Sequence, residues 1–210
     1  LNYPFIMHKK HLLYTLLGII LIFLIWSAIN PKGYGILFLE VFPVLIGVPI
    51  LILTYRRFEF TTMIYVFVTI HSIILIIGGH YTYAENPFFE WLKITFDWSR
   101  NYYDRLGHLA QGFFPALIIR EFLFRKTKLQ RGVMLFFLVV SVCLALSAFY
   151  ELIEWWASIS LTPGTGNAFL GTQGDIWDSQ WDMFLALIGS STSLLLFSKL
   201  QDKQMKKMKK

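Results

Sequence analysis

The chain has 210 residues, 56% of them apolar and 18% aromatic, with a mean hydropathy of +0.56. This composition excludes an ordinary soluble domain and predicts an all-α polytopic membrane bundle. The single cysteine, Cys143, excludes a disulfide framework and a thiolate metal site; mid-span, it reads as a small buried hydrophobe.

Six apolar segments, near residues 12–29, 35–54, 60–79, 104–124, 132–157 and 179–199, each approach the roughly 20 residues needed to cross a hydrocarbon core of about 30 Å. They form one integral membrane domain over 1–210, with no repeat, low-complexity tract or second domain. Lys9 and Lys10 before the first segment resemble a secretory signal, but no small-residue cleavage site follows Trp26, so this segment is expected to be a retained helix. The start at Leu1 leaves the completeness of the N-terminus open. The second segment carries Glu40 ahead of Pro43 and Pro49, which suits either a kinked helix with a neutral glutamic acid or a coupling acid. In the third, His71 lies mid-span as a packing histidine or a proton relay, and His80 ends the segment after Gly78 and Gly79. Residues 80–103, with Trp91, Phe96 and Trp98 among charges, look interfacial. Arg120 and Glu121 close the fourth segment as an anchor.

Fifteen of the nineteen basic residues fall on one side of this pattern, including Lys9, Arg56, Arg125, Arg131 and the lysines from Lys199 onward. Lys32, Lys93, Arg100 and Arg105 fall on the other. The positive-inside rule therefore makes both termini cytoplasmic. The basic tail at 200–210 is an ordinary juxtamembrane cluster facing anionic lipid, not a nucleic-acid site.

With that orientation, His80, Asp104, His108, Glu151, Glu154, Asp175, Asp178 and Asp182 all reach the outer interface from four different segments. Spacing strengthens the convergence. Asp104, His108 and Gln111 stand at i, i+4 and i+7; Glu151 and Glu154 at i, i+3, with Ser147 a turn below; Asp175, Asp178 and Asp182 at i, i+3 and i+7. Asp182 continues into a stripe of Ala186, Gly189 and Ser193 that predicts close helix packing. Charged groups in a membrane are costly unless paired, metal-bound or wetted. Six facing carboxylates would repel one another, and the simplest remedy is one or two divalent ions, with Zn, Mn, Mg and Fe not distinguished. Asp104, His108, Glu154, Asp178 and Asp182, with His80, are the candidate metal ligands. Glu151 and Asp175 are the candidate catalytic acids or bases, and Arg105 and Gln111 the candidate substrate contacts. Asp175 is equally a helix N-cap. No GxSxG, phosphate loop, CxxC or HExxH pattern occurs.

The strings DRLGHLAQGF, YELIEWW and FLGTQGDIWDSQWDM resemble those of the bacterial YjdF-like inner-membrane proteins, from about residue 35 onward. That resemblance implies a multi-pass protein of the bacterial cytoplasmic membrane and implies no reaction. A looser likeness joins Asp104 with His108, Glu151 with Glu154, and Asp178 with Asp182 to the VanZ-like membrane proteins. The second motif departs from it, with a second glutamate where glutamine is usual, which makes this site more acidic.

The expectation is a membrane hydrolase or transferase that uses the metal on a lipid-linked or envelope substrate, with membrane lipids as its surroundings and no nucleic-acid partner. Two other classes stay open: a transporter or proton-coupled permease using Glu40 and His71, and a structural protein held by a polar clamp. The oligomeric state is not legible.

Overall fold

A computed structural model describes residues 3–208, with side chains from residue 9 onward except those of Pro163 and Asn167; Leu1 and the last two lysines of the tail lie outside the described residues. Eight α-helices follow in order: α1 Tyr3–Ser27, α2 Tyr34–Thr54, α3 Thr62–Tyr81, α4 Pro87–Phe96, α5 Tyr103–Lys126, α6 Val133–Ser160, α7 Pro163–Leu170 and α8 Asp178–Met208, with a single 3-10 turn at Tyr83–Glu85. No strand occurs among the described residues, so the chain is an all-α polytopic bundle.

Five helices, α1, α2, α3, α6 and α8, are long and apolar enough to cross a membrane. α5 has 24 residues, about 36 Å at 1.5 Å per residue, so it matches them in length but is too polar to match them in composition. The reason is its position: α5 packs against α3, α6 and α8, and its charged residues Asp104, Arg105, Arg120 and Glu121 are buried against protein.

Local chemistry sets the breaks. Asn86 caps α4 by accepting from the backbone N–H groups of Phe88 and Phe89, with Pro87 in the first turn where no donor is missed. Asp97 adopts a left-handed conformation (φ 52°) that ends α4. The four large exposed side chains of α4, Phe88, Trp91, Ile94 and Phe96, fit the interfacial placement expected for this segment. α8 runs on through the basic tail to Met208, because Gln201 and Met205 on its inner face are buried and Gln204 accepts from the backbone N–H of Met63 at 3.1 Å. The sixth span and the described tail are therefore one continuous helix.

α5 and α8 touch backbone to backbone. A Cβ on Gly112 would lie 2.0 Å from the carbonyl oxygen of Ala186, and one on Gly189 would lie 2.1 Å from that of Leu109. The small-residue stripe of α8 thus has α5 as its neighbour, as small-residue interfaces in membranes allow.

Two polar networks close the bundle at opposite ends. At the basic end Glu121, fully buried, accepts from the backbone N–H (3.1 Å) and hydroxyl (2.8 Å) of Thr61 and from Arg125 (2.6 Å). Arg120 donates to Gln201 (2.8 Å) and Asp202 (2.9 Å), and Lys9 pairs with Glu59. Arg120 and Glu121 therefore do more than anchor a helix end: they tie α5 to α8 and to the turn before α3. Lys9 of α1, Arg120 and Arg125 of α5, Arg131 on the chain entering α6 and the lysines of α8 gather at this end, as the positive-inside reading requires, and Arg105 at the start of α5 lies at the other.

Candidate functional site

The other end of the bundle holds the acids. Asp104, Arg105 and His108 lie in the first two turns of α5, Glu151 and Glu154 near the end of α6, and Asp178 and Asp182 in the first two turns of α8. Asp175 lies in the loop just before α8. All of these side chains are buried except Asp175, which is about 29% exposed.

Two arginines bind the four aspartates. Arg105 donates Nη1 to Asp182 Oδ1 at 2.6 Å and to the Asp178 carbonyl at 3.2 Å. Its Nη2 lies 3.0 Å from Asp175 Oδ2 and 2.7 Å from Asp178 Oδ1. Arg100 donates Nη1 to Asp178 Oδ1 at 2.5 Å, and Nη2 to Asp104 Oδ2 at 3.2 Å and to the Gly171 carbonyl at 3.3 Å. Sequence reasoning placed Arg100 only among the outer basic residues. The missed signal was its spacing, i, i+4 to Asp104.

A reciprocal amide pair orients this layer. Gln173 accepts from the Asn101 backbone N–H and donates to the Asn101 carbonyl, both at 2.9 Å, which fastens the loop before α8 to the loop before α5. That loop turns sharply at Gly171 (φ 63°), Gln173 (φ 48°) and Gly174 (φ 87°), a backbone path that favours glycine. Asn101 also donates to Glu90 of α4, outside the spans, where a hydrogen bond from Lys93 holds the Glu90 carboxyl below its ordinary range.

The glutamates have no arginine. His108 Nδ1 faces Glu151 Oε1 at 3.6 Å, and neither atom has a hydrogen-bond partner. His108 Nε2 faces Asp104 Oδ1 at 3.5 Å and Glu154 Oε1 at 3.9 Å. Two triads, Asp104–His108–Asp182 and His108–Glu151–Glu154, each offer one ligand atom per residue, all within 4.8 Å of one another. The chemistry available to an imidazole among carboxylates is the holding of a divalent ion or the sharing of protons.

Other expected residues fall elsewhere. His80 does not join the cluster: Nδ1 lies 3.0 Å from the Ser27 carbonyl oxygen and the ring stacks on Trp26, which ties α3 to α1. Gln111 Oε1 is buried without a partner and makes no bond to the acids. Asp175 accepts from the backbone N–H of Trp177 at 2.9 Å, a turn just before α8 in place of the expected N-cap, and pairs with the arginines as well. His71 stacks on Phe114, with Nε2 unpartnered. Glu40 is buried on α2 and accepts from the Tyr150 hydroxyl at 3.4 Å.

A cleft of about 720 Å³ reaches the acids between α6 and α8, lined by Glu151, Leu152 and Trp155 of α6, Asp175 of the loop, and Asp178, Ser179 and Met183 of α8.

An all-helical bundle with apolar spans and an arginine–carboxylate–histidine centre buried at one end defines a polytopic integral membrane protein with a buried polar centre. The chain belongs to the family described as predicted membrane protein (DUF2238), whose model matches residues 12–203. It is 42% identical over 208 residues to inner membrane protein YjdF of Escherichia coli (strain K12), covering 97% of this chain and 94% of that protein. No solved structure matches. The resemblance carried by the three motifs is borne out, and the protein is a multi-pass protein of the bacterial inner membrane.

Proposed function

We propose that the centre holds a divalent metal ion and serves a hydrolase or transferase acting on a lipid-linked or envelope substrate. The observation that carries this reading is the position of His108, buried between carboxylates on both ring edges with Nδ1 and Glu151 Oε1 unpartnered. Membrane-buried polar atoms left in this way are costly unless a ligand satisfies them.

Asp104 spends Oδ2 on Arg100 and turns Oδ1 to His108, and Asp182 uses Oδ1 for Arg105. Each aspartate thus keeps one oxygen for an ion, and Glu154 adds a third carboxylate. Asp178, engaged by both arginines, becomes a positioning residue. Glu151 borders the cleft and is the carboxylate placed to take a proton from an attacking water. Asp175, between two guanidiniums, is a poor base and instead orients the arginines. A bound ion would polarise a carbonyl or phosphoryl oxygen and acidify its water.

The test is the metal content per protein of chelator-free, detergent-purified material, beside Glu154→Gln, which leaves every arginine pair intact. One or two retained ions in the parent and fewer in the variant support the reading. No ion in either, after addition of Mg²⁺, Mn²⁺ and Zn²⁺, overturns it.

The polar clamp is the second reading, favoured by the seven arginine–aspartate contacts that join α5, α8 and the loops before them. It predicts that substitutions lower stability with no dependence on metal.

A further inference from the structure

The cleft beside Glu151 has a polarity that the metal reading does not use. Its ionisable lining is wholly acidic, Glu151, Asp175 and Asp178, and no lysine, arginine or histidine lines it. The two nearby arginines stand behind the aspartates with their Nη atoms committed to carboxylates and carbonyls. Glu151 is more than nine-tenths buried and its Oε1 accepts no hydrogen bond. With no cationic side chain on the lining, an anionic group finds no partner of opposite charge at the rim. The rest of the lining is largely apolar, and Leu152, Trp155 and Ile176 remain 46%, 51% and 84% exposed.

We infer that this cleft takes a membrane lipid whose headgroup carries a primary ammonium, with the ammonium at the Glu151–Asp175 rim and the acyl part leaving along Leu152 and Met183. A primary ammonium offers three N–H donors to carboxylates that have acceptor sites to spare, and a quaternary ammonium offers none. The inference rests on the hydrolase or transferase reading only in making this lipid a substrate; the headgroup selectivity stands on the cleft itself.

The experiment is native mass spectrometry of the detergent-purified protein with phosphatidylethanolamine, phosphatidylglycerol and phosphatidylcholine of equal chain length, with metal content measured on the same samples. Phosphatidylethanolamine should be retained roughly tenfold better than either of the others. Leu152→Trp, which fills the apolar wall without touching the polar centre, should abolish that preference and leave metal content unchanged. Equal or preferred binding of phosphatidylglycerol, equal binding of phosphatidylcholine, or an undiminished preference in Leu152→Trp would overturn the inference. A metal-free protein that still prefers phosphatidylethanolamine would sink the enzyme reading and leave the headgroup selectivity standing. A metal-loaded protein with no preference would do the reverse.

Discussion

Arg105 and Asp182, 77 positions apart in the chain, meet at 2.6 Å inside the bundle, and both are at least nine-tenths buried. A buried pair of this kind gains little over a well-packed apolar pair, yet breaking it from one side strands a charge, at a cost of about 3–5 kcal/mol. Arg105→Met alone should therefore destabilise strongly. Adding Asp182→Leu should recover part of the loss, and thermal unfolding of the two single variants and the double in detergent checks this as a coupling energy.

The contact of Gly112 with Ala186 leaves no room for a side chain. Gly112→Leu or Gly189→Leu should push α5 from α8 and unfold the centre, costing about 1–3 kcal/mol or more. Gly18, which has nothing within 4 Å, is the control: Gly18→Ala should leave the unfolding temperature close to that of the parent.

Any ion at His108 competes with protons, because imidazole ligates only when neutral. Retention of the metal should therefore fall as the purified protein is dialysed to acid pH and return on neutralisation with added metal. A metal content that stays level from neutral to mildly acid pH, in a protein that remains folded, would argue that the ion sits elsewhere.

At the opposite end, Glu121 accepts five hydrogen bonds from Thr61, Arg125 and Gln201. Glu121→Ala should cost about 3–5 kcal/mol through the partners it strands, with metal content preserved in whatever fraction folds. Loss of metal in folded material would show that the two ends are coupled.

Orientation is open to cysteine labelling, because the native Cys143 is only 1% exposed and gives a silent background. Lys128→Cys should react with an impermeant reagent only from the cytoplasmic side, and Asp97→Cys only from the outer side. Reversed labelling would overturn the positive-inside assignment.

The sequence by itself determined the membrane class, the helical architecture and the end of the bundle at which the acids gather, and it predicts the orientation. Each follows from local facts: apolar runs of span length, the side on which lysines and arginines fall, and i, i+3 and i+4 spacing on single helices. The expected spans begin and end close to the observed helices, apart from the start of α1 at Tyr3, nine residues ahead of the expected one, and the continuation of α8 to Met208, which depends on inner-face contacts of Gln201 and Met205. Which residues pair was not legible, because pairing depends on helix rotation and on loop paths. His80 shares the depth of the acids but faces α1, where Trp26 and the Ser27 carbonyl take its ring. Arg100, in a loop, becomes central only because the turns at Gly171, Gln173 and Gly174 bring Asp175 and Asp178 onto it. Tertiary structure alone decided that the aspartates have arginines and the glutamates do not, since close contact of α5 with α8 sets those distances, and in a medium of low dielectric a few ångströms separate a paired charge from an orphan.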